Sequence, residues 1–165
     1  MSAITGLFIV MGVSGCGKSS VASLLADRTG GLFLDADDFH PAANKAKMAA
    51  GIPLNDDDRW PWLDALSAEL RAQAAAGRTV FLACSALKQT YRDRLVAGNP
   101  SLRFIYLKGS RELILGRMQA RENHFMPPAL LDSQLATLEE PVDAITVSIE
   151  PPLEAIVDEA LRRLS

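Results

Sequence analysis

Residues 12–19 constrain the fold of this chain more than any other part of its sequence. They read Gly-Val-Ser-Gly-Cys-Gly-Lys-Ser and fit the pattern G-x-x-x-x-G-K-[ST] at every fixed position. Glycines at this spacing let the backbone turn so that successive N–H groups point at one phosphate, and the N-terminus of a following helix adds its positive dipole end. The pattern therefore predicts a buried strand before the loop and a helix after it.

Both neighbours of the loop have the required pattern. Residues 7–11 are apolar throughout, as expected of a parallel strand that is covered on both faces. From Lys18 to about Thr29, apolar side chains recur at helical spacing, and Gly30 and Gly31 end that helix. The alternative is a chance glycine-rich turn, but the motif and its context agree and favour a nucleoside triphosphate site.

Two side chains of the loop carry specific roles in such a site. Lys18 can reach the β- and γ-phosphate oxygens, and the Ser19 hydroxyl can ligate Mg²⁺. The predicted nucleotide contacts are Gly12, Val13, Ser14, Gly15, Cys16, Gly17, Lys18, Ser19 and Ser20. A guanine-binding protein would carry N-K-x-D late in the chain, whereas the pair Asn44-Lys45 comes early and lacks the aspartate. The sequence therefore favours ATP with Mg²⁺.

Four further short apolar runs predict strands, and helical patterns separate them. These runs cover residues 32–34, 79–84, 104–107 and 145–149. A helix is expected to start near Asp58, with Asn55 or Asp56 as its cap, and a closing helix is expected over residues 152–164. Helices between successive strands imply right-handed crossovers and a mostly parallel sheet. We therefore predict an α/β fold of three layers, with a five-stranded parallel sheet flanked by helices.

The segment between the fourth and fifth strands interrupts this alternation. It contains Arg117, Arg121 and a second helical pattern, but no strand pattern. We interpret the segment, roughly residues 117–140, as a helical lid. Because no repeat or linker divides the sequence, residues 1–165 are expected to form a single domain.

Composition and charge exclude several classes of protein. The chain has 165 residues with 17 basic and 20 acidic side chains, which gives a net charge of −3. An acidic balance argues against a nucleic-acid partner. The apolar run over residues 7–13 is shorter than the roughly 20 residues that span a bilayer, and residues 1–5 lack the basic start of a secretory signal. We expect a cytoplasmic protein without a membrane partner.

Polar side chains follow the second and third predicted strands, where ligands gather in a sheet of this kind. Asp35, Asp37 and His40 follow the second strand, and Ser85 and Lys88 follow the third. A phosphoryl acceptor requires a carboxylate that takes its hydroxyl proton, and we assign this role to Asp37. The alternatives are a solvated helix cap for the acidic group and a turn residue for His40. No aspartate ends the third strand, so Asp35 or Asp37 is also the candidate carboxylate for the metal.

Two arginines begin the predicted lid. Arg117 and Arg121 are four residues apart and therefore share one helical face. Paired guanidinium groups can neutralise charge on a transferring phosphoryl group, and one of them can stack on adenine. The alternative is a solvated helix face. His124 and Phe125 carry the same two interpretations.

The two cysteines allow two hypotheses. A thiol at a helix N-terminus beside Lys18 is expected to be acidic and reactive, and Cys84 could lie close enough to pair with Cys16. Alternatively, both thiols are reduced and have no such role, which suits a reducing compartment and is the interpretation we favour.

Five stretches of the sequence together resemble signature stretches of the gluconate kinases. They are MGVSGCGKS at 11–19, DADDFHP at 35–41, GIPLNDDDR at 51–59, ACSALK at 83–88 with YRD at 91–93, and HFMPP at 124–128. The likeness runs in order from about residue 7 to residue 141. Many families share the phosphate loop, but the other four stretches together are specific.

This resemblance implies ATP-dependent phosphorylation of D-gluconate at its 6-hydroxyl, a nucleoside-monophosphate-kinase-like fold, a mobile lid and often a homodimer. By motif, the catalytic residues would be Lys18, Asp37, Arg117 and Arg121, with Arg117 also at the nucleotide. The acceptor contacts would be Asp37, His40, Arg59, Ser85, Lys88, Arg92 and His124. Gluconate is a polyol carboxylate, so a pocket for it requires cations for the carboxylate and hydrogen-bonding groups for the hydroxyls.

Two other functions remain open from the sequence. One is a different small-molecule kinase, such as one for shikimate, although that family has three glycines where this chain has Ala83, Cys84 and Ser85. The other is a non-catalytic nucleotide-binding module, which would need neither a base at Asp37 nor lid arginines.

Overall fold

The computed structural model describes residues 4–119 and 128–165, which contain five strands, seven α-helices and one 3₁₀ turn. The strands are β1 (Leu7–Met11), β2 (Leu32–Asp35), β3 (Val80–Ala83), β4 (Arg103–Lys108) and β5 (Ile145–Ser148). The helices are α1 (Lys18–Thr29), α2 (Ala42–Ala49), α3 (Asp56–Ala75), α4 (Gln89–Gly98), α5 (Arg111–Gln119), α6 (Pro128–Thr137) and α7 (Leu153–Leu164). The 3₁₀ turn, Ala36–Phe39, directly follows β2.

The five strands form one parallel sheet in the order β2-β3-β1-β4-β5. This confirms the predicted five-stranded parallel sheet, with strand ends within one residue of the predicted ones. The carboxyl ends of β1, β2 and β3 lie side by side at one edge of the sheet. Ligands of doubly wound folds bind at such an edge, next to the point where the strand order reverses.

The central strand β1 explains why its sequence is apolar without alternation. Phe8 and Val10 belong to the core on one face of the sheet, whereas Leu7, Ile9 and Met11 belong to the core on the other face. The first core also contains Val21, Leu25, Ile156 and Val157 of α1 and α7, and the second contains Leu63, Leu66, Leu70 and Leu95 of α3 and α4. Helices therefore cover both faces, which confirms the three predicted layers. Full burial of each large apolar side chain contributes about 1.5–3 kcal/mol.

The N-terminus of α3 is fixed by a capping box. The Asn55 side chain accepts from Asp58 N at 2.9 Å, and the Asp58 carboxylate accepts from Asn55 N at 3.0 Å. The cap is therefore Asn55, which is one of the two predicted residues. The helix begins at Asp56, two residues earlier than expected. Helix α2 was not predicted, because its residues, among which only Asn44 is buried, lack an apolar stripe.

The predicted lid segment includes the end of α5 and the whole of α6, and these two helices contact each other. Arg121 and His124, which are predicted to belong to the lid, lie outside the described residues. Across 4–119 and 128–165, none of the helices combines the length and apolarity that crossing a membrane requires.

Candidate active site

A cavity of about 840 Å³ opens at the carboxyl ends of β1, β2 and β3. Its walls come from the phosphate loop, the turn after β2, the loop after β3, the start of α3 and the inner face of α6. Among the predicted site residues, those that line it are Ser14, Gly15, Gly17, Lys18, Ser19, Ser20, Asp37, His40, Arg59, Ser85 and Lys88. The topology thus brings the predicted nucleotide and acceptor residues to one cavity.

The phosphate loop needs glycine at two positions for its shape. Gly15 and Gly17 have φ angles of 85° and 93°, in the left-handed region that favours glycine. A Cβ on Gly15 would also lie 2.5 Å from the Met118 sulfur of α5. Gly17 is the N-cap of α1 and has no side chain to bond the first N–H groups of that helix. The helix N-terminus therefore presents donors of the kind that bind a phosphate.

The two loop side chains with predicted roles have partners in this structure. Lys18 Nζ donates to Val13 O at 3.2 Å, so its charge stays within the loop. Ser19 Oγ donates to Asp35 Oδ2 at 3.4 Å. The other Asp35 oxygen accepts from Asp37 N at 3.0 Å, which fixes the carboxylate beside the loop. A hydroxyl and a carboxylate side by side are hard oxygen ligands of the type that suits Mg²⁺. Asp35 is therefore the better placed of the two candidate carboxylates.

Asp37 projects from the 3₁₀ turn toward the open cavity. The Asp37 side chain is 86% exposed, but the protein around the cavity partly desolvates its carboxyl and raises its pKa, and the negative charge of Asp35 adds to this effect. His40 and the positive charge of Lys18 act in the opposite direction without cancelling the rise. The consequence is a carboxylate that is more basic than an ordinary aspartate, which suits a proton acceptor.

His40 is buried and fixed on two sides. Its ring stacks on Trp62, with centroids 4.3 Å apart and planes 13° apart. The Asn44 amide nitrogen donates to Asp58 O at 2.8 Å and also lies 3.2 Å from His40 Nδ1. Because that nitrogen is a donor, His40 Nδ1 accepts and the ring proton is on Nε2.

The proton-bearing nitrogen of His40 faces the cavity. His40 Nε2 is 3.9 Å from Asp37 Oδ1, which is longer than a hydrogen bond. Burial lowers the pKa of His40 despite the nearby carboxylate, so the ring is neutral near pH 7. A neutral His40 can therefore donate one hydrogen bond to a ligand between itself and Asp37.

Two cations line the cavity next to the starts of α3 and α4, and we call this part of the cavity the acceptor end. Arg59 comes from α3 and Lys88 precedes α4, and their side chains are about one-third exposed. Both contact the carboxylate of Asp56, and Tyr91 lies between them. Ser85 lines the cavity beside this group.

Arg92 is not brought to the cavity, contrary to expectation. Its side chain is 2% exposed, and its NH1 group donates to Ala86 O at 2.6 Å. Its NH2 group donates to Glu139 O at 2.7 Å, on the segment that follows α6. Arg92 therefore joins the loop after β3 to the end of the lid segment, and its observed contacts do not include the cavity. The sequence shows that position 92 carries a cation, but it does not show that this side chain is buried, so the expected place of Arg92 in the cavity was wrong.

Arg117 also points away from the cavity in this structure. Its NH2 group donates to the backbone oxygens of Glu150 at 3.1 Å and Pro151 at 3.4 Å, after β5. The pairing of Arg117 with Arg121 on a phosphoryl group stays a prediction, as do all the individual roles assigned from sequence.

The expected acidity of Cys16 is wrong. Burial raises the pKa of the Cys16 thiol, and this effect exceeds the opposing influence of Lys18. Complete burial likewise raises the pKa of Cys84 to about 12. Both cysteines are free thiols, as the favoured alternative had it. Proximity to a helix N-terminus does not predict reactivity where the sulfur is buried.

Gln134 of α6 is a site residue that the sequence does not predict. Its Oε1 atom accepts from Ser14 N at 2.7 Å, and its Nε2 atom donates to Ser14 Oγ at 2.9 Å. These two bonds connect the lid segment to the phosphate loop. The residues are 120 positions apart, so the only signal in the sequence is a polar residue within a helical pattern.

We expect Gln134→Leu to raise the KM for ATP about fivefold with little change in kcat. The substitution leaves the phosphate loop without its two bonds to α6, whose net contributions are about 0.5 kcal/mol each at the lower end of the usual range, so that their sum of about 1 kcal/mol corresponds to about fivefold. Steady-state kinetics of this variant and of Ser133→Ala, which lines the same wall, would test it. An unchanged KM for ATP in Gln134→Leu would contradict the role.

A phosphate loop follows the central parallel strand, and a candidate base, Asp37, lines the same cavity. This combination places the chain in the class of P-loop kinases. Residues 7–141 match the family described as an AAA domain. The chain is 48% identical over 155 residues to the thermoresistant gluconokinase of Escherichia coli K12, which covers 92% of this chain and 89% of that protein. The chain belongs to the gluconokinase family, which confirms the resemblance of its motifs.

Solved structures agree with this assignment. The crystal structure of a gluconokinase from Sinorhizobium meliloti 1021 matches with a TM-score of 0.88 and 46% identity, over 99% of this chain and 93% of that one. The shikimate kinase of Aquifex aeolicus VF5 matches with a TM-score of 0.60 over 95% of this chain and 94% of that one, but at 17% identity. That likeness shows the fold alone, so the shikimate alternative is not favoured.

Proposed function

We propose that this chain transfers the γ-phosphoryl group of ATP to the 6-hydroxyl of D-gluconate, which yields 6-phosphogluconate and ADP. One observation supports this above all: the phosphate loop, Asp37 and two cations line a single cavity. Membership of the gluconokinase family, and the gluconokinases named among its relatives, support gluconate as the acceptor.

The residues of the loop fit the triphosphate of ATP. The left-handed glycines, the uncapped N-terminus of α1 and the Lys18 ammonium group all suit phosphate oxygens. Ser19 and Asp35 would hold Mg²⁺, whose charge, when it is bound, offsets that of the phosphate oxygens. Arg117 and Arg121 are proposed to approach the nucleotide from the lid.

The chemical step follows from the position of Asp37. Its carboxylate accepts the proton of the 6-hydroxyl as that oxygen attacks the γ-phosphorus. The new O–P bond forms as the bond from the γ-phosphorus to the leaving oxygen of ADP breaks. The raised pKa of Asp37 makes it a better acceptor for this proton, and His40 Nε2 donates to the acceptor and holds it in line.

Three further side chains of the cavity suit the rest of the acceptor. Arg59 and Lys88 are proposed to bind the gluconate carboxylate, and Ser85 one of its hydroxyl groups. His124 of the lid is proposed as a further acceptor contact. Residues 1–165 would act as a single kinase domain in the cytoplasm, where ATP is abundant.

An acceptor panel tests the proposal, with ADP formation as the readout. Gluconate is expected to give turnover far above the background without acceptor, whereas glucose, which lacks the carboxylate, and shikimate should not. Turnover with another acceptor but not with gluconate would contradict the assignment of gluconate as the substrate, although the chain would still be a kinase. Failure of every acceptor would favour the non-catalytic module instead.

A further inference from the structure

The two cations at the acceptor end are joined by a carboxylate that does not itself line the cavity. Arg59 NH1 is 3.4 Å from Asp56 Oδ1, and Lys88 Nζ is 3.6 Å from Asp56 Oδ2. Each carboxylate oxygen thus faces one cation. Arg59 belongs to the first turn of α3 and Lys88 caps α4, so Asp56 connects residues from two separate helices.

Tyr91 completes this group and fixes the carboxylate. Its hydroxyl donates to Asp56 Oδ1 at 2.5 Å and accepts from Arg59 NH1 at 3.3 Å. Its ring centroid is 5.6 Å from both Arg59 Cζ and Lys88 Nζ. The Trp60 ring packs edge-on against Tyr91 at 5.8 Å, so the tyrosine is itself held in place.

The protonation states support a charged carboxylate in this group. The hydrogen bond from Tyr91 lowers the pKa of Asp56, and the positive charges of Lys88 and Arg59 lower it further. Burial, with the neighbouring Asp56, raises the pKa of Tyr91 to about 12, so its hydroxyl keeps its proton. Near pH 7 the group therefore contains two cations and one anion, with a net charge of +1.

We infer that Asp56, held by Tyr91, is the positioning residue for acceptor specificity: it orients Arg59 and Lys88 toward the cavity and leaves one net positive charge for one acceptor carboxylate. This inference rests on the proposed function. Without Asp56 the two cations lose their shared anchor and repel each other, and their flexible side chains turn toward solvent. The acceptor site would then bind a carboxylate less well, although the nucleotide site is unaltered.

The variant Asp56→Asn tests the inference because it removes the charge and preserves the shape. Asp57→Asn is a matched control: Asp57 lies in the same first turn of α3 and is exposed, and among the described residues it has no hydrogen bond or ion pair. Both variants lose one acidic group near the helix N-terminus, so their effects on helix stability should be similar.

For Asp56→Asn we expect the KM for gluconate to rise about tenfold, equivalent to about 1.4 kcal/mol. The KM for ATP should stay within twofold and kcat within threefold, and Asp57→Asn should match the wild type in all three. If Asp56 had a purely structural role, the substitution would lower Tm and raise the KM for both substrates. If Asp56 only weakened the positive field of the two cations, the substitution would lower the KM for gluconate. Either result would overturn the inference.

Tyr91→Phe supplies a second, independent test. It should raise the KM for gluconate about threefold, and the double variant with Asp56→Asn should be no worse than Asp56→Asn alone, because the tyrosine acts through the carboxylate. Additive effects would overturn that coupling. If the wild type does not phosphorylate gluconate, both the proposed function and this inference fail. If the wild type does phosphorylate gluconate but Asp56→Asn has the same KM for gluconate as Asp57→Asn, the inference alone fails.

Discussion

Replacement of Asp37 by asparagine is expected to lower kcat about 10²- to 10⁴-fold, the range that a positioned general base contributes. Asparagine keeps the size of the side chain but cannot accept the proton of the acceptor hydroxyl. ATP affinity should change little, because the phosphate loop and Lys18 are unaltered. Turnover measured by ADP formation, with ATP affinity measured by titration, would show this separation of chemistry from binding.

Asp38→Asn is the matched control for this prediction. Asp38 follows Asp37 in the same 3₁₀ turn and is exposed, but it does not line the cavity, so its variant should keep near-normal turnover. The pH profile provides a second check. A base must be deprotonated, and the pKa of Asp37 is raised, so activity should fall with decreasing pH at a higher pH than for an ordinary aspartate. Near-normal turnover of Asp37→Asn would remove Asp37 from this role.

Replacement of Lys18 by alanine is expected to weaken both nucleotide binding and turnover. In this structure the ammonium group donates to Val13 O within the loop, and Lys18 is the one basic residue among residues 12–19. Loss of one preorganised donor to a developing charge typically costs about 10²- to 10³-fold in kcat. Nucleotide titration and steady-state kinetics would measure the two effects separately.

Lys18→Arg separates charge from geometry at the same position. Arginine retains the positive charge but presents a planar group with a different reach, so binding should recover more than turnover does. Full activity of Lys18→Ala would contradict the assignment of residues 12–19 as the catalytic phosphate loop.

The sheet could be predicted from sequence because local patterns determine it. The apolar run of β1 and the glycine spacing of the loop specify a strand, a turn and a helix within a few residues of each other. Parallel strands bring their carboxyl ends to one edge, so Asp37, His40 and Lys88 could be placed in one cavity before any distance was known.

The residues that were missed act over long sequence separations or through burial. Gln134 reaches Ser14 across 120 positions, and Asp56 meets Tyr91 only because α3 packs on α4. The position of Arg92 differs from the expectation for another reason, and so does the acidity of Cys16, which was the less favoured of two hypotheses: the chemistry of both side chains is evident in the sequence, but their burial is not. Local pattern predicts which edge of the sheet binds ligands, and side-chain packing decides which groups reach it.

In the proposed reaction, the phosphoryl group of ATP is transferred to the 6-hydroxyl of gluconate. The most direct measurement is phosphorus NMR of the product formed by wild-type protein from ATP and gluconate. We expect a phosphomonoester resonance coupled to the two protons on carbon 6, and we expect no such resonance when Asp37→Asn is used under the same conditions. Coupling to any other carbon, or ADP formation without a gluconate ester, would contradict it.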